Sequence, residues 1–212
     1  MMDGVQPLAE RLTRELSAGK RVLWLVPGGS NIILSAEVSR RLPADLTTHL
    51  SIMLTDERYG EVGHKDSNTV QLDIAGFTPG RAQMHAVLQP GLSLQDTVTR
   101  YARDFELATQ ANDLIIGQFG MGPDGHLAGI LPHSAAVQAA QLTFGYEAPG
   151  FTRITLTPPA IQRVDTLYLF AFGREKLEAL DNLKSKDLSL DDQPAQLLKQ
   201  IPESYVYNDQ VG

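Results

Sequence analysis

An aspartate and a histidine two residues apart, Asp124 and His126, sit within GMGPDGH (Gly120 to His126), directly after the apolar run Leu114, Ile115, Ile116 and Phe119. An imidazole, with an ordinary pKa of about 6.5, can take a proton from water at neutral pH. A carboxylate beside it can hold its tautomer and steady the imidazolium that forms. The apolar run reads as a buried strand, and Gly120, Gly122 and Gly125 allow a sharp turn and close approach to a ligand. Asp124 and His126 are therefore expected at the carboxyl end of a strand, the usual ligand crevice of open parallel sheets.

The same glycines spell G-x-G-x-x-G, the pattern of a dinucleotide fingerprint, but the chemistry argues against that reading. Pro123 removes an N–H donor, and Asp124 would set a negative charge beside the pyrophosphate. The acidic residue expected about 20 positions later could only be Glu147, in FGYEAPG, which reads as a turn rather than a strand end.

Three further clusters could meet an anionic ligand. Val26-Pro27-Gly28-Gly29-Ser30-Asn31 follows an apolar strand and precedes a helical pattern, so Gly28 and Gly29 could admit a phosphate to the helix amides with Ser30 adding a hydroxyl. A plain tight turn capped by Ser30 or Asn31 fits equally, and no Gly-Lys-Ser/Thr follows to make a Walker loop. Leu54-Thr55-Asp56-Glu57-Arg58-Tyr59 ends the second strand-like run, with Ser67-Asn68 a helix start soon after. At the crevice end of the same sheet, Asp56 could orient a histidine or a substrate hydroxyl and Arg58 could contact an anion. Arg153, opening RITLTPP, and Lys176, one turn into a helix after Phe172, are by themselves as compatible with surface cations. His49, His85 and His133 suit packing, edge or loop positions, His64 has no stronger case, and no histidine and carboxylate spacing suggests a metal site. A Gly-x-Ser-x-Gly elbow is absent.

These residues need a scaffold, and strand-like runs at Arg21 to Val26, Ser51 to Asp56, Met84 to Leu88, Asp113 to Phe119, Thr152 to Pro158, Asp165 to Phe172 and Tyr205 to Tyr207 supply one. Helical spacing of apolar residues at Ser30 to Leu42, Ser93 to Thr109 and Glu175 to Leu183 falls between them. The alternation predicts an α/β fold with a mostly parallel sheet and helices on both faces. Lys184 to Pro194 reads as a polar surface connection before a short helix at Ala195 to Gln200. With 212 residues and no linker or repeat, the expectation is one domain over 1–212. A net charge of −7 without clustered Lys and Arg argues against a nucleic-acid groove. The absence of cysteine excludes disulfides, thiolate metal sites and a cysteine nucleophile. No apolar run reaches the roughly 20 residues of a membrane span, and the start has no signal-peptide order, so a cytoplasmic location is expected.

PGGSN, LTDERY followed by DSN, GMGPDGHLAGILP, TRITLTPP and GREK, in that order, resemble the 6-phosphogluconolactonase family, within the group that includes glucosamine-6-phosphate deaminase/isomerase. The resemblance spans nearly the whole chain, and GMGPDGH is its specific part. It implies a single three-layer α/β domain with a mostly parallel Rossmann-like sheet, of the kind shared by sugar-phosphate isomerases and CoA transferases. It also implies hydrolysis of 6-phosphoglucono-1,5-lactone to 6-phosphogluconate in the oxidative pentose phosphate pathway. Gly28, Gly29 and Ser30 match the family's phosphate turn, Arg153 and Lys176 its phosphate-gripping cations, Asp56 and Arg58 its pocket-lining DER element, and His126 its general base.

The chemistry accords with that transfer. A lactone is an activated ester whose hydrolysis needs a placed water, a base and donors for the developing oxyanion; neither metal nor organic cofactor is expected. Asp124 or Asp56 could orient His126, and the amides around Gly122 and Gly125, or Arg58, are candidate oxyanion donors. The expected partner is a small phosphosugar lactone, with the chain a monomer or weak homo-oligomer. In the deaminase branch a glutamate precedes the proline where this chain has Leu131, and the DER spelling also favours the lactonase. A sugar-phosphate-binding regulator without turnover is a third reading, though a sensor needs no positioned base. The chain departs from the family pattern at Asn31-Ile32, where GGSTP is usual, and in GEVGHKDSN, both at the expected pocket rim.

Overall fold

A computed structural model describes residues 4–211. In chain order its elements are α1 (Val5–Ser17), β1 (Val22–Val26), α2 (Ile32–Arg41), β2 (Leu50–Leu54), β3 (Asp56–Arg58), α3 (Asn68–Ile74), β4 (Gln83–Met84), α4 (Leu94–Ala111), β5 (Leu114–Gly120), β6 (Thr143–Ala148), β7 (Phe151–Leu156), α5 (Pro158–Ile161), β8 (Thr166–Ala171), α6 (Leu177–Ser185) and β9 (Glu203–Asn208). Short 3₁₀ turns precede α2 at Gly29–Asn31 and α6 at Arg174–Lys176.

Six strands form a parallel sheet in the order β4-β2-β1-β5-β8-β9. β1 and β8 are buried at every position, as strands covered on both faces must be. The chain leaves β1 toward β2 on one side and later returns to β5 on the other. The sheet thus has a topological switch point between β1 and β5, and right-handed crossovers put α2 and α4 on opposite faces. α1 packs on α2 and α2 on α3, and α1 buries Val5, Leu8, Ala9, Leu12 and Leu16, a regular helical stripe.

Several particulars differ from the sequence expectation. Asp56 to Arg58 do not end the second strand of the main sheet: the backbone breaks at Thr55, and β3 joins a separate antiparallel sheet ordered β3-β7-β6. RITLTPP contributes β7 to that small sheet, so the mostly parallel reading holds for the main sheet only. FGYEAPG is no turn; its residues Phe144 to Ala148 belong to β6, hairpinned to β7 through Gly150. Local polarity concealed this strand because its exposed edge and its partner's cover are tertiary facts. The run from Met84 shrinks to the two-residue β4, which leaves His85 just beyond it. Residues 184–194 are less peripheral than expected, since α6 extends to Ser185 and both Gln193 and Pro194 are buried. The short helix expected from Ala195 is a 3₁₀ segment, Pro194–Gln200. Directly after Gly120 no helix opens, only turns and β-bridges, which removes the structural basis of a dinucleotide fingerprint.

β9, the edge strand, is fastened at its start by one carboxylate. Glu203 accepts hydrogen bonds from Tyr205 Oη at 2.5 Å and Thr166 Oγ1 at 2.7 Å, and from Arg11 of α1 at 2.9 Å. These bonds, the Tyr205 bond foremost, hold its pKa down to about 2 against an ordinary 4.5. Because the folded pKa is depressed, the stabilisation is complete above about pH 4.5 and is lost as pH falls toward 2. Glu203→Gln should therefore flatten that acid limb by about 1 kcal/mol, solvent screening already discounted. Urea midpoints measured across the window, wild type against variant, check this; parallel curves would contradict it.

Candidate active site

The loops after β1, β5 and β8 and one face of the small sheet enclose a cleft of about 350 Å³ at the switch point, within the range of small-molecule sites. Gly28, Gly29, Ser30, Asp56, Arg58, His126, Arg153 and Lys176 all line it. The sequence clusters, spread over 149 positions from Gly28 to Lys176, thus converge on one space.

His126 is oriented by Asp124. The carboxylate Oδ1 lies 2.7 Å from His126 Nδ1 and also accepts the His126 backbone N–H at 3.1 Å. The bond to the imidazole, more than any other influence, lowers the Asp124 pKa, against the opposing effect of burial. In the neutral imidazole, a charged Asp124 keeps the proton on Nδ1 and leaves Nε2 with its lone pair. Gly122 makes room for the pair, since a Cβ there would stand 2.1 Å from His126 Nδ1 and 2.6 Å from Asp124 Oδ1. The glycine thus admits the close approach of these side chains, and it also lines the cleft. Asp56 lines the cleft but its carboxylate accepts from Thr55 Oγ1 at 3.0 Å, and among the described residues it has no hydrogen bond to His126.

The expected oxyanion donors in the glycine turn are already engaged. Gly122 N–H donates to the His126 carbonyl at 3.1 Å and Gly125 N–H to the Gly122 carbonyl at 3.0 Å. The cations remain. Arg58 and Arg153 are direct cross-strand partners on one face of the small sheet, a like-charge juxtaposition that is unfavourable by itself. Arg58 stacks over the Phe151 ring, 5.0 Å from its centroid, and donates to the Asp66 carbonyl at 2.7 Å. The Nε of both arginines is buried without a partner among the described residues. Lys176 lies at the N-cap of α6, not one turn inside it, and is only 6 % exposed. Burial lowers its pKa, while Glu175 and Asp209 act the other way.

At the glycine turn after β1, the amides of Gly29 and Ser30 open a helical turn and have no intrahelical acceptor. Asn31, where the family pattern departs, ties the turn down by donating from Nδ2 to the Phe170 carbonyl at 3.1 Å. From below, the turn rests on Asn68, whose carboxamide lies so close that a Cβ on Gly28 would be 2.2 Å from Nδ2. Asn68 Nδ2 also donates to the Asp56 carbonyl at 2.9 Å, coupling the glycine turn to β3.

Glu57, between two residues expected in the site, does not face the cleft. It is fully buried and accepts five hydrogen bonds: from the amides of Arg58, Asn68 and Thr69 and the hydroxyls of Ser67 and Thr69, at 2.6 to 3.0 Å. It caps α3 from another strand. Only the helix-start pair Ser67-Asn68 hinted at this in sequence, because capping acids normally lie within the helix's own first turn. Asn31 and Asn68, read in the sequence only as a cap and a helix start, and Glu57 and the cleft-lining Glu175 were given no role at the site by the sequence. Among the described residues no group of three His, Asp or Glu gathers as a metal site, and no helix is long and apolar enough to cross a membrane.

Residues 1–206 match the family of glucosamine-6-phosphate isomerases and 6-phosphogluconolactonases. A 6-phosphogluconolactonase of Mycobacterium bovis is 40 % identical over 184 residues, spanning 76 % of this chain and 72 % of that protein. One from Xylella fastidiosa is 29 % identical over 192 residues, covering 85 % of this chain and 79 % of its own. Among solved structures, a 6-phosphogluconolactonase of Shewanella baltica superposes with a TM-score of 0.81 at 21 % identity, over 96 % of this chain and 90 % of that one. That likeness establishes the α/β fold.

Glu57→Gln places an NH₂ group among donors that have no other acceptor among the described residues. Its expected cost is about 2–4 kcal/mol, the penalty for unsatisfying a buried charge-assisted network. Urea denaturation measures it as a lower midpoint with an unchanged slope; a midpoint equal to wild type would show that the network contributes nothing net.

Proposed function

Because this chain belongs to the family of glucosamine-6-phosphate isomerases and 6-phosphogluconolactonases, we propose that it hydrolyses 6-phosphoglucono-1,5-lactone to 6-phosphogluconate with His126 as general base. The observation that carries the reading is His126, its Nδ1 2.7 Å from the Asp124 carboxylate behind it, lining a cleft shared with Arg58, Arg153 and Lys176. The relatives named above are 6-phosphogluconolactonases, which fits the same reaction.

In this mechanism the substrate phosphate lies against the amides of Gly29 and Ser30, with Lys176 and Arg153 opposing its charge. That anchor places the lactone carbonyl near His126, trading remote binding energy for orientation. His126 Nε2 removes a proton from water as the oxygen attacks the carbonyl carbon. The imidazolium is steadied by Asp124, which keeps its own charge throughout. Arg58 faces the negative charge that develops on the carbonyl oxygen. Collapse of the tetrahedral intermediate breaks the bond to the ring oxygen, which takes the proton back from His126 and leaves as a hydroxyl. The product is the open-chain acid, and the base is restored. Asp56, on the wall, is placed to accept from a sugar hydroxyl.

With freshly generated lactone and coupled oxidation of the released acid, His126→Ala should lower kcat about a hundredfold or more over the spontaneous background while phosphosugar affinity holds. Parallel losses in both would make His126 a binding residue. Arg153→Ala should instead raise KM and weaken competition by inorganic phosphate; unchanged phosphate competition would remove Arg153 from the anchor. A wild type with no rate above background, yet stabilised against heat by sugar phosphates, would point to the binding protein instead.

A further inference from the structure

Two residues beyond His126, Ala128 has a backbone φ of 53°, one of two non-glycine residues among those described with positive φ. L-residues other than glycine adopt that region at a cost, and such strain persists only where surrounding contacts over-determine it. Ala128 lines the cleft and is the first central residue of a tight turn, with Leu127 N–H donating to the Ile130 carbonyl at 3.4 Å and Ile130 N–H to the Leu127 carbonyl at 2.9 Å. The next residue, Gly129, is gripped at both ends by the small sheet. Its N–H donates to Thr155 Oγ1 at 3.0 Å, and its carbonyl accepts from Tyr146 Oη at 2.6 Å. The same phenol oxygen accepts the Leu131 N–H at 3.3 Å. A Cβ on Gly129 would lie 2.9 Å from Thr155 Cβ and 3.2 Å from Asp56 Cβ, so the turn is pressed onto β7 and β3.

Tyr146 pairs directly with Arg153, which pairs with Arg58, so the three form one row across the small sheet. One end of that row presents cations to the cleft and the other reaches the turn that follows His126. We infer that Tyr146 is a positioning residue: through Gly129 it holds the strained turn at Ala128 and so sets the His126 imidazole relative to Arg58 and Arg153. Thr155 provides the second half of the clamp. Tyr146 touches neither water nor lactone in this scheme, which rests on reading His126 as the base. It acts on the rate because a base displaced by a fraction of an ångström loses its line to the attacking water.

The test is a double-mutant cycle, since Ala128→Gly removes the strain that Tyr146 resists. Tyr146→Phe in the wild-type background should lower kcat about tenfold with KM within about twofold. In the Ala128→Gly background the same substitution should cost less than about threefold. Equal losses in both backgrounds, or no loss in either, overturn the inference, because a role in β6 packing alone would not depend on residue 128. The ¹⁵N–¹H signals of the His126 ring give a readout that needs no turnover and so separates this inference from the assigned reaction. They should show one Nδ1–H tautomer in wild type, broadening or mixing in Tyr146→Phe, and recovery in the double variant; an unchanged spectrum in Tyr146→Phe also overturns it. Thr155→Val, which removes the other bond to Gly129, runs the same cycle if Tyr146→Phe fails to fold.

Discussion

A carboxylate sealed from water, with five donors aimed at it, joins the two halves of this site. Glu57 belongs to β3 by chain and to the start of α3 by hydrogen bonding. A buried charge of that kind is tolerable only when its lone pairs are filled, so strand and helix have one relative position. Everything adjacent inherits that position. Asn68, in the first turn of α3, braces Gly28 on one side and the Asp56 carbonyl on the other. Arg58, next to Glu57, is directed with Arg153 toward the cleft. A polar network that faces no ligand thereby fixes the distance between the glycine turn and the arginines.

The electrostatics of the cleft run against those of the molecule. The chain carries a net charge of −7, yet Arg58 and Arg153 stand opposed across a ladder and Lys176 is nearly buried with its pKa pulled down. Like charges held together and a desolvated ammonium are both costly, and a doubly charged anion relieves both at once. On the reading proposed above, the cleft is preorganised for an anion, its internal repulsion being met during folding rather than on binding. The overall negative field tempers this attraction at long range and leaves recognition to contact distance, where geometry discriminates.

The strain at Ala128 and the crowding at Gly122 follow the same logic on the side of His126. Both place backbone and side chain where an unconstrained chain would not leave them: Gly122 is crowded by its near neighbours Asp124 and His126, while the Ala128 turn is held by Tyr146 and Thr155, distant in sequence. The small antiparallel sheet is consequently more than a cover for the parallel one: its β7 and β6 carry the contacts that restrain the loop after His126.

The parallel scaffold could be read from the chain because buried strands are continuous apolar runs and intervening helices repeat their apolar residues every three or four positions, both local signals. The site residues could be read for a related reason: glycine turns at strand ends, a His beside an Asp and the DER triplet are contiguous spellings. Their convergence in one cleft followed from strand order, which the alternation of elements constrains. What the tertiary structure alone decided were the relations between segments: that β3 leaves the main sheet at Thr55, that FGYEAPG contributes a strand, and that the amides of Gly122 and Gly125 are spent within their own turn. Glu57, Asn68 and Tyr146 escaped sequence reading because each acts through partners 10 to 40 positions away or on another sheet. Local composition reports whether a segment is apolar, turn-like or charged; it holds no record of which distant donor will fill a buried acceptor, and that pairing exists only once the chain has closed on itself.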